Sequence, residues 1–451
     1  MCITPEKRTL VSIRIVNATL PNGKRADFTI DRGVFTDDSS ADRTIDAAGL
    51  QALPGLVDLH THLREPGFEQ SETVLSGSRA AAMGGFTAVF AMANTMPVQD
   101  TAGVVEQVQS LGDTHGYATV RPIGAVTEGL AGTTLSEIGA MANSRAGVRV
   151  FSDDGKCVHN ALLMRRALEY VKTFDGVVAQ HAQEPTLTVD AQMNEGAVSS
   201  ELGLAGWPAV AEESIIARDV LLAEHVGARL HICHLSTAGS VDVIRWAKAR
   251  GISVTAEVTP HHLLLTEELV RGYDARFKVN PPLRRDEDVQ ALRAALADGT
   301  IDIVATDHAP HPPEAKECSW AEAAFGMVGL ESALNIVQEA VVDTGQLSWV
   351  DIARVLSQTP AQIGRLDGYD IPFAVGSAAN LVLLDSSARS TFSADSLRGK
   401  SVNSPYLGRT LPGRVMTTIH NGYETVRDGD VVEVDEVAHN ARLAAAEANH
   451  V

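Results

Sequence analysis

Four cysteines, at positions 2, 157, 233 and 318 with no C-x-x-C pair, are too few and too scattered to form a disulfide framework, and they suit a reducing compartment. Long apolar runs are also missing. No stretch approaches the ~20 residues that cross a bilayer. The first twenty residues alternate polar and apolar side chains and lack the apolar core of a secretion signal. The expectation is a soluble, cytoplasmic protein with no membrane partner. Positive charge is in short supply, with 37 Lys and Arg against 57 Asp and Glu, a formal net charge of −20. The densest basic clusters, Arg165-Arg166 and Arg284-Arg285, are isolated pairs, so nothing offers a phosphate backbone a landing strip and a nucleic-acid partner is excluded. No internal repeat or low-complexity segment interrupts the chain.

What is present is an ordinary globular composition, 45% apolar and 21% charged, sufficient for a large core. At 451 residues the chain exceeds the roughly 250–300 at which one core stops growing, although α/β barrels are exceptions to that limit. Both ends read as short strands with tight turns: 9–18 and 26–30 around Asn22-Gly23 and Arg32-Gly33, then 380–384, 414–420 and 422–427 around Asn421-Gly422 and Asp428-Gly429. The simplest arrangement joins residues 1–54 and 365–451 as one small β-sandwich, with an Ala-rich terminal helix over 438–450. Between them, residues 55–364 alternate apolar β-branched runs with amphipathic segments such as 161–172 and 240–250. The candidate strands are 55–60, 87–91, 118–124, 147–151, 176–179, 229–233, 253–257 and 302–305. Eight parallel strands predict a (β/α)₈ TIM barrel, whose chemistry gathers at the C-terminal strand ends.

Those ends carry an unusual set of side chains. The first strand runs out through His60-Thr61-His62-Leu63-Arg64, the second at Asn94, the fourth at Asp153-Asp154, the fifth at His181, the sixth at His234 and the eighth at Asp307-His308. His60 and His62 alternate along a strand and so face one side, which suits a metal with imidazole ligands, most often zinc. Among 15 histidines an H-x-H pair is weak by itself. His181 alone reads as a hydrogen-bonded core histidine, His231 within the sixth strand as core, Asp153 as a turn residue, and His261-His262 as supporting residues. Convergence on one barrel mouth is what turns His60, His62, His181, His234, Asp307 and an aspartate into a metal site. Four histidines and two carboxylates exceed the needs of one tetrahedral zinc; two ions ~3.5–4 Å apart sharing a carboxylate would use them all.

The segments Asp58-Leu59-His60-Thr61-His62-Leu63-Arg64-Glu65-Pro66-Gly67, Val258-Thr259-Pro260-His261-His262, Phe277-Lys278-Val279-Asn280-Pro281-Pro282-Leu283 and Ala305-Thr306-Asp307-His308-Ala309-Pro310-His311 resemble the signatures of dihydroorotases, class I bacterial type, in the amidohydrolase superfamily. Ser404-Pro405-Tyr406 and Leu411-Pro412-Gly413 extend the resemblance over nearly the whole chain. It implies two zinc ions per subunit. His60, His62 and Asp307 would hold one, His181 and His234 the other, with Asp154, favoured over Asp153 by family spacing, bridging both. A carboxylated Lys156 is the minor alternative for that bridge. It further implies reversible cyclisation of N-carbamoyl-L-aspartate to L-dihydroorotate in pyrimidine synthesis, with a metal-bridging hydroxide as nucleophile and Asp307 as general acid and base. Arg64, with Asn94, His311 and the ligand His62 beside it, would take the substrate carboxylate; Asn280 and the backbone at Phe325 and Gly326 would take the ring. A homodimer, a complex with aspartate transcarbamoylase and a closing loop over 312–324 are compatible with the resemblance. The competing readings are another cyclic amidohydrolase (hydantoinase, dihydropyrimidinase or allantoinase) and a catalytically inactive partner of the transcarbamoylase.

Overall fold

The computed structural model describes residues 10–369 and 371–448. Eight parallel strands follow one another around a closed barrel: Leu56–Thr61, Phe86–Ala91, Thr119–Pro122, Val150–Phe151, Val177–Gln180, Leu230–Ile232, Val254–Val258 and Ile303–Val304. Regular pairing runs through the first three strands and through the last five. Single parallel bridges, Gly124 to Phe151 and Thr61 to His308, close the two seams. The sequence places all eight strands correctly. The fourth begins three residues later than its apolar run suggests, and the eighth spans only two residues.

A buried cluster draws Val57, Leu59, Ala88, Phe90, Val150, Val177, Ala179 and Ile303 from five strands and Ile123 and Cys233 from just past the ends of two more, so it fills the barrel interior. Ala361, Ile363, Leu366 and Tyr369 join the same cluster, and Tyr369 Oη lies 2.8 Å from Thr87 Oγ1. The seventh strand is the exception. Its Thr255 and Glu257 are polar, and they meet His231 of the sixth. The helices pack outside. In Ala161–Val171, for example, Asn160 caps the first turn by accepting from the amides of Leu162 and Leu163, and Met164, Ala167, Leu168 and Val171 form the buried stripe. Such a cap contributes about 1 kcal/mol.

The two chain ends form one nine-stranded sheet, eight strands in a continuous hydrogen-bonded order and the ninth, Arg43–Asp46, branching off beside Ile13–Thr19. Gln51–Pro54 pairs antiparallel with Leu381–Thr391, which joins N-terminal to C-terminal strands. The sheet encloses its own core of Ile13, Ile15, Ile30, Phe35, Leu381, Leu383 and Ile419. Thr9 of the first expected strand lies outside the described residues; the strand itself is Ile13–Thr19. The terminal helix is Val434–Ala448. Among the described residues no helix is long and apolar enough to cross a membrane.

Candidate active site

The first strand is stitched to the eighth below the mouth. Asp58 accepts from the backbone amides of His60 (3.1 Å) and Thr306 (3.0 Å) and from Thr306 Oγ1 (2.5 Å). Burial is the larger influence on this carboxyl and pushes it up to about 7 against those bonds. Above this stitch His60, His62, Asp154 and Asp307 converge, all buried, and Asp154, His181 and His234 form a second group that shares the same aspartate.

Asp154 stands between two histidine pairs. Its Oδ2 lies 3.3 Å from the Nε2 atoms of both His60 and His62. Its Oδ1 lies 3.0 Å from His181 Nδ1 and 3.2 Å from His234 Nε2. Asp307 Oδ1 sits 3.1 Å from His62 Nε2 and 3.4 Å from His60 Nε2. Asp153 turns the other way and accepts from the amides of Val126 and Thr127 and from the Thr127 hydroxyl, which anchors the loop after the third strand. Lys156, two residues past Asp154, is exposed.

The histidines are oriented from behind. His60 Nδ1 is 2.6 Å from Glu257 Oε1, His62 Nδ1 is 2.9 Å from Asn94 Oδ1, and His181 Nε2 is 2.8 Å from Gln183 Oε1. Each of these oxygens accepts the ring N–H, so the other nitrogen turns its lone pair toward the carboxylates. His60 Nε2 is then buried with no aligned hydrogen bond, its carboxylate neighbours being close but off-line. His181 Nδ1 and His234 Nε2 face each other at 2.9 Å, a separation that needs a proton or a cation between them. An orphaned imidazole lone pair and two facing ones, ringed by carboxylates, fit divalent cations bound by nitrogen and oxygen ligands.

Electrostatics agree. Burial opposes charge at every group, yet the imidazoles of His60, His62 and His181 are pushed up by the neighbouring carboxylates, of which Asp154 acts on all three. Asp154 is held well below the ordinary carboxylate range by His60 and His181, and Asp307 is held below it by His60 and His62. The backbone is also constrained here. Arg64, His234 and Asp307 have φ of 65°, 32° and 48°, left-handed values that cost a non-glycine residue about 1–3 kcal/mol and collect at functional sites.

Arg64 is partly exposed at the mouth. Its Nε donates to Pro310 O at 3.2 Å, and its two terminal nitrogens make no hydrogen bond. Desolvation pushes it down to about 10, against the pull of Asp307, Asp154 and Glu72. Glu65 does not pair with it; that carboxylate caps Val74 at 2.8 Å. Asn280 Nδ2 donates to Gln183 Oε1 at 3.1 Å, while its Oδ1 is buried and unpartnered. His311 Nε2 lies 2.8 Å from Phe325 O. The Gly326 N–H is taken by Lys278 O at 2.9 Å and the Gly326 carbonyl accepts from Asn403 Nδ2 at 3.3 Å, so the turn is fastened on both sides. Of the two adjacent histidines on the seventh strand's loop, His262 is tied to Thr259 and Pro281 O, and His261 Nε2 has no partner. The 312–324 loop is fastened by two buried lysines: Lys316 donates to Ala324 O and Lys278 O, and Lys278 to Trp320 O and Ala321 O. Sequence reasoning singled out neither Glu257 nor Gln183, the residues that back His60 and His181.

The Dihydro-orotase-like family profile matches residues 49–240. A dihydroorotase of Leifsonia xyli subsp. xyli is 73% identical over 424 residues, 93% of this chain and 97% of the relative. Dihydroorotases of Streptomyces coelicolor (68% over 385 residues; 85% and 90% covered) and Mycobacterium tuberculosis (52% over 416; 91% and 96%) match similarly. Among solved structures, an L-hydantoinase (dihydropyrimidinase) from Arthrobacter aurescens superposes with a TM-score of 0.84 at 25% identity, covering 94% of this chain and 98% of its own. A dihydropyrimidinase from Brevibacillus agri, at 22% identity and a TM-score of 0.80 over 93% and 96% of the two chains, shares the fold.

Proposed function

The chain belongs to the dihydroorotase family of the amidohydrolase superfamily, and from that premise we propose that its barrel mouth interconverts L-dihydroorotate and N-carbamoyl-L-aspartate. His60, His62 and Asp307 would hold one divalent cation, His181 and His234 a second, and Asp154 both; the nitrogen and oxygen donor set suits zinc. When bound, such ions polarise the scissile carbonyl and make water nucleophilic at neutral pH.

The rest is the work of the chain's own side chains. Against the effect of burial, His60 and His62 hold the Asp307 carboxyl below the ordinary carboxylate range, and in ring opening that carboxylate accepts the proton of the attacking water and delivers it to the departing ring nitrogen. In ring closure the protonated carboxyl returns that proton. Arg64 offers two unpaired guanidinium nitrogens, the geometry of a bidentate carboxylate clamp. Asn280 Oδ1 offers an unpaired acceptor to a ring N–H, and Gln183 connects that residue to His181.

The single observation that carries the substrate reading is the unpaired guanidinium of Arg64 beside Asp307 and Asp154. A hydantoin or a dihydropyrimidine without a ring carboxylate would leave it unused. An inactive partner would be expected to have lost ligands, and this chain keeps all six. The test is turnover of L-dihydroorotate against dihydrouracil by the purified protein. Dihydroorotate should be preferred by at least ~30-fold in kcat/KM, the lower end of the discrimination that a hydrogen-bonded charge pair provides; faster dihydrouracil opening would sink the assignment. A cytoplasmic location, a homodimer and a transcarbamoylase complex belong to the same proposal; light scattering of the protein alone and mixed with the transcarbamoylase tests the two assemblies.

A further inference from the structure

We propose that Glu257 is the positioning residue for both halves of the Asp154 cluster, and that His231 keeps it in place. The inference rests on the reading that the cluster takes two divalent cations.

Glu257 lies on the seventh strand, Val254–Val258, fully buried inside the barrel. Its Oε1 accepts from the ring of His60 at 2.6 Å and from the backbone amide of His234 at 3.2 Å. Its Oε2 lies 3.0 Å from His231 Nε2, whose Nδ1 is 2.9 Å from Thr255 Oγ1. One carboxylate thus ties the first strand to the sixth from the seventh, and its Oε1 alone holds both a ligand ring of one histidine pair and the main chain of a ligand in the other.

A purely structural reading of the Glu257–His231 pair does not explain this placement. A buried ion pair adds little stability over apolar residues of equal volume, and neighbouring inward positions in this barrel are Val, Ala and Cys. What the carboxylate does that an apolar residue could not is fix the His60 tautomer with Nε2 free, and hold His234 at its unusual φ of 32°. Glu257 also places a full negative charge behind a ring that must donate its electron pair on the opposite side. Carboxylates behind metal-binding imidazoles typically change metal affinity by 10–100-fold when removed.

The experiment is chelator competition for Zn²⁺ on the full-length chain, with the visible spectrum of the Co²⁺-loaded protein as a second readout. Glu257→Gln keeps the shape and loses the charge. It should bind the more tightly held ion about 10–100-fold more weakly and shift the Co²⁺ bands, with an unchanged circular-dichroism spectrum. If that variant does not fold, His231→Gln carries the test, since Glu257 keeps its bonds to His60 and His234 but loses its anchor; a loss of about 3–10-fold is then expected. A folded variant with parental affinity and an unaltered Co²⁺ spectrum overturns the inference alone. A parent chain that holds no divalent cation overturns both the inference and the two-cation reading beneath it.

Discussion

Replacing Arg64 by methionine removes a charge while keeping much of the stem that lines the mouth. The guanidinium makes one hydrogen bond, to Pro310 O, and its two terminal nitrogens make none, so the unliganded protein loses little. Desolvation already lowers this arginine to about 10, and relief of that cost offsets part of the lost attraction to Asp307 and Asp154. The effect should therefore fall on the substrate. Truncating one partner of a buried, hydrogen-bonded charge pair costs about 2–5 kcal/mol, or roughly 30- to 4,000-fold in kcat/KM at 1.4 kcal/mol per decade. Because Arg64 is partly exposed, the lower half of that range, ~30–300-fold, is the expected loss for L-dihydroorotate. Arg64→Lys should recover part of it, since a point charge cannot form the bidentate fork. The assay is steady-state turnover of dihydroorotate and dihydrouracil by all three proteins, with a melting curve for each. A loss below threefold, or an equal loss on both substrates, would refute the role given to this residue.

Asp307→Asn removes the proton acceptor and should lower turnover by at least ~10²–10⁴-fold, with the circular-dichroism spectrum unchanged; substantial residual activity would count against its acid–base role. Gly326→Ala should lower kcat/KM by ~10-fold or more. At φ +132° the new Cβ would stand 2.7 Å from Ala309 Cβ and 2.8 Å from His311 Nε2, displacing the turn proposed to contact the substrate ring. Lys316 is buried, and desolvation pushes it down to about 7 from 10.5. A lysine with a depressed folded-state value contributes stability that is whole above the unfolded pKa and lost as pH falls through the folded one. Docking of 312–324 should therefore strengthen between pH 7 and 10, by up to ~1.4 kcal/mol per unit before screening. Hydrogen exchange of that loop, corrected for intrinsic rates, should show this slope in the parent and lose it in Lys316→Met.

The barrel was readable because parallel α/β architecture converts one-dimensional punctuation into three-dimensional convergence. Once eight apolar runs are ordered around a barrel, whatever follows each run must share one mouth. His60, His62, Asp154, His181, His234 and Asp307 meet for that reason. Glu257 escaped the same reading, although it closes the expected strand 253–257, because a single carboxylate there looks like an ordinary solvated position. Its one signal was a histidine, His231, at a polar position on the preceding strand, and that signal carries meaning only once the register between Val254–Val258 and Leu230–Ile232 is known. Gln183 was hidden similarly, two residues past His181 with no motif of its own. The 312–324 loop reads as a solvated, closing segment from its Pro, Glu and Lys content. Lys316 instead turns inward to carbonyls, a contact no local pattern encodes.

Everything proposed for the barrel mouth turns on Asp154 being the shared carboxylate of a two-ion site. Metal analysis of the purified parent and of Asp154→Ala by plasma mass spectrometry tests it most directly. The parent should hold two divalent ions per chain and the variant less than one, because Asp154 Oδ1 and Oδ2 each face a different histidine pair. A variant that still holds two ions, or a parent that holds none, would contradict it.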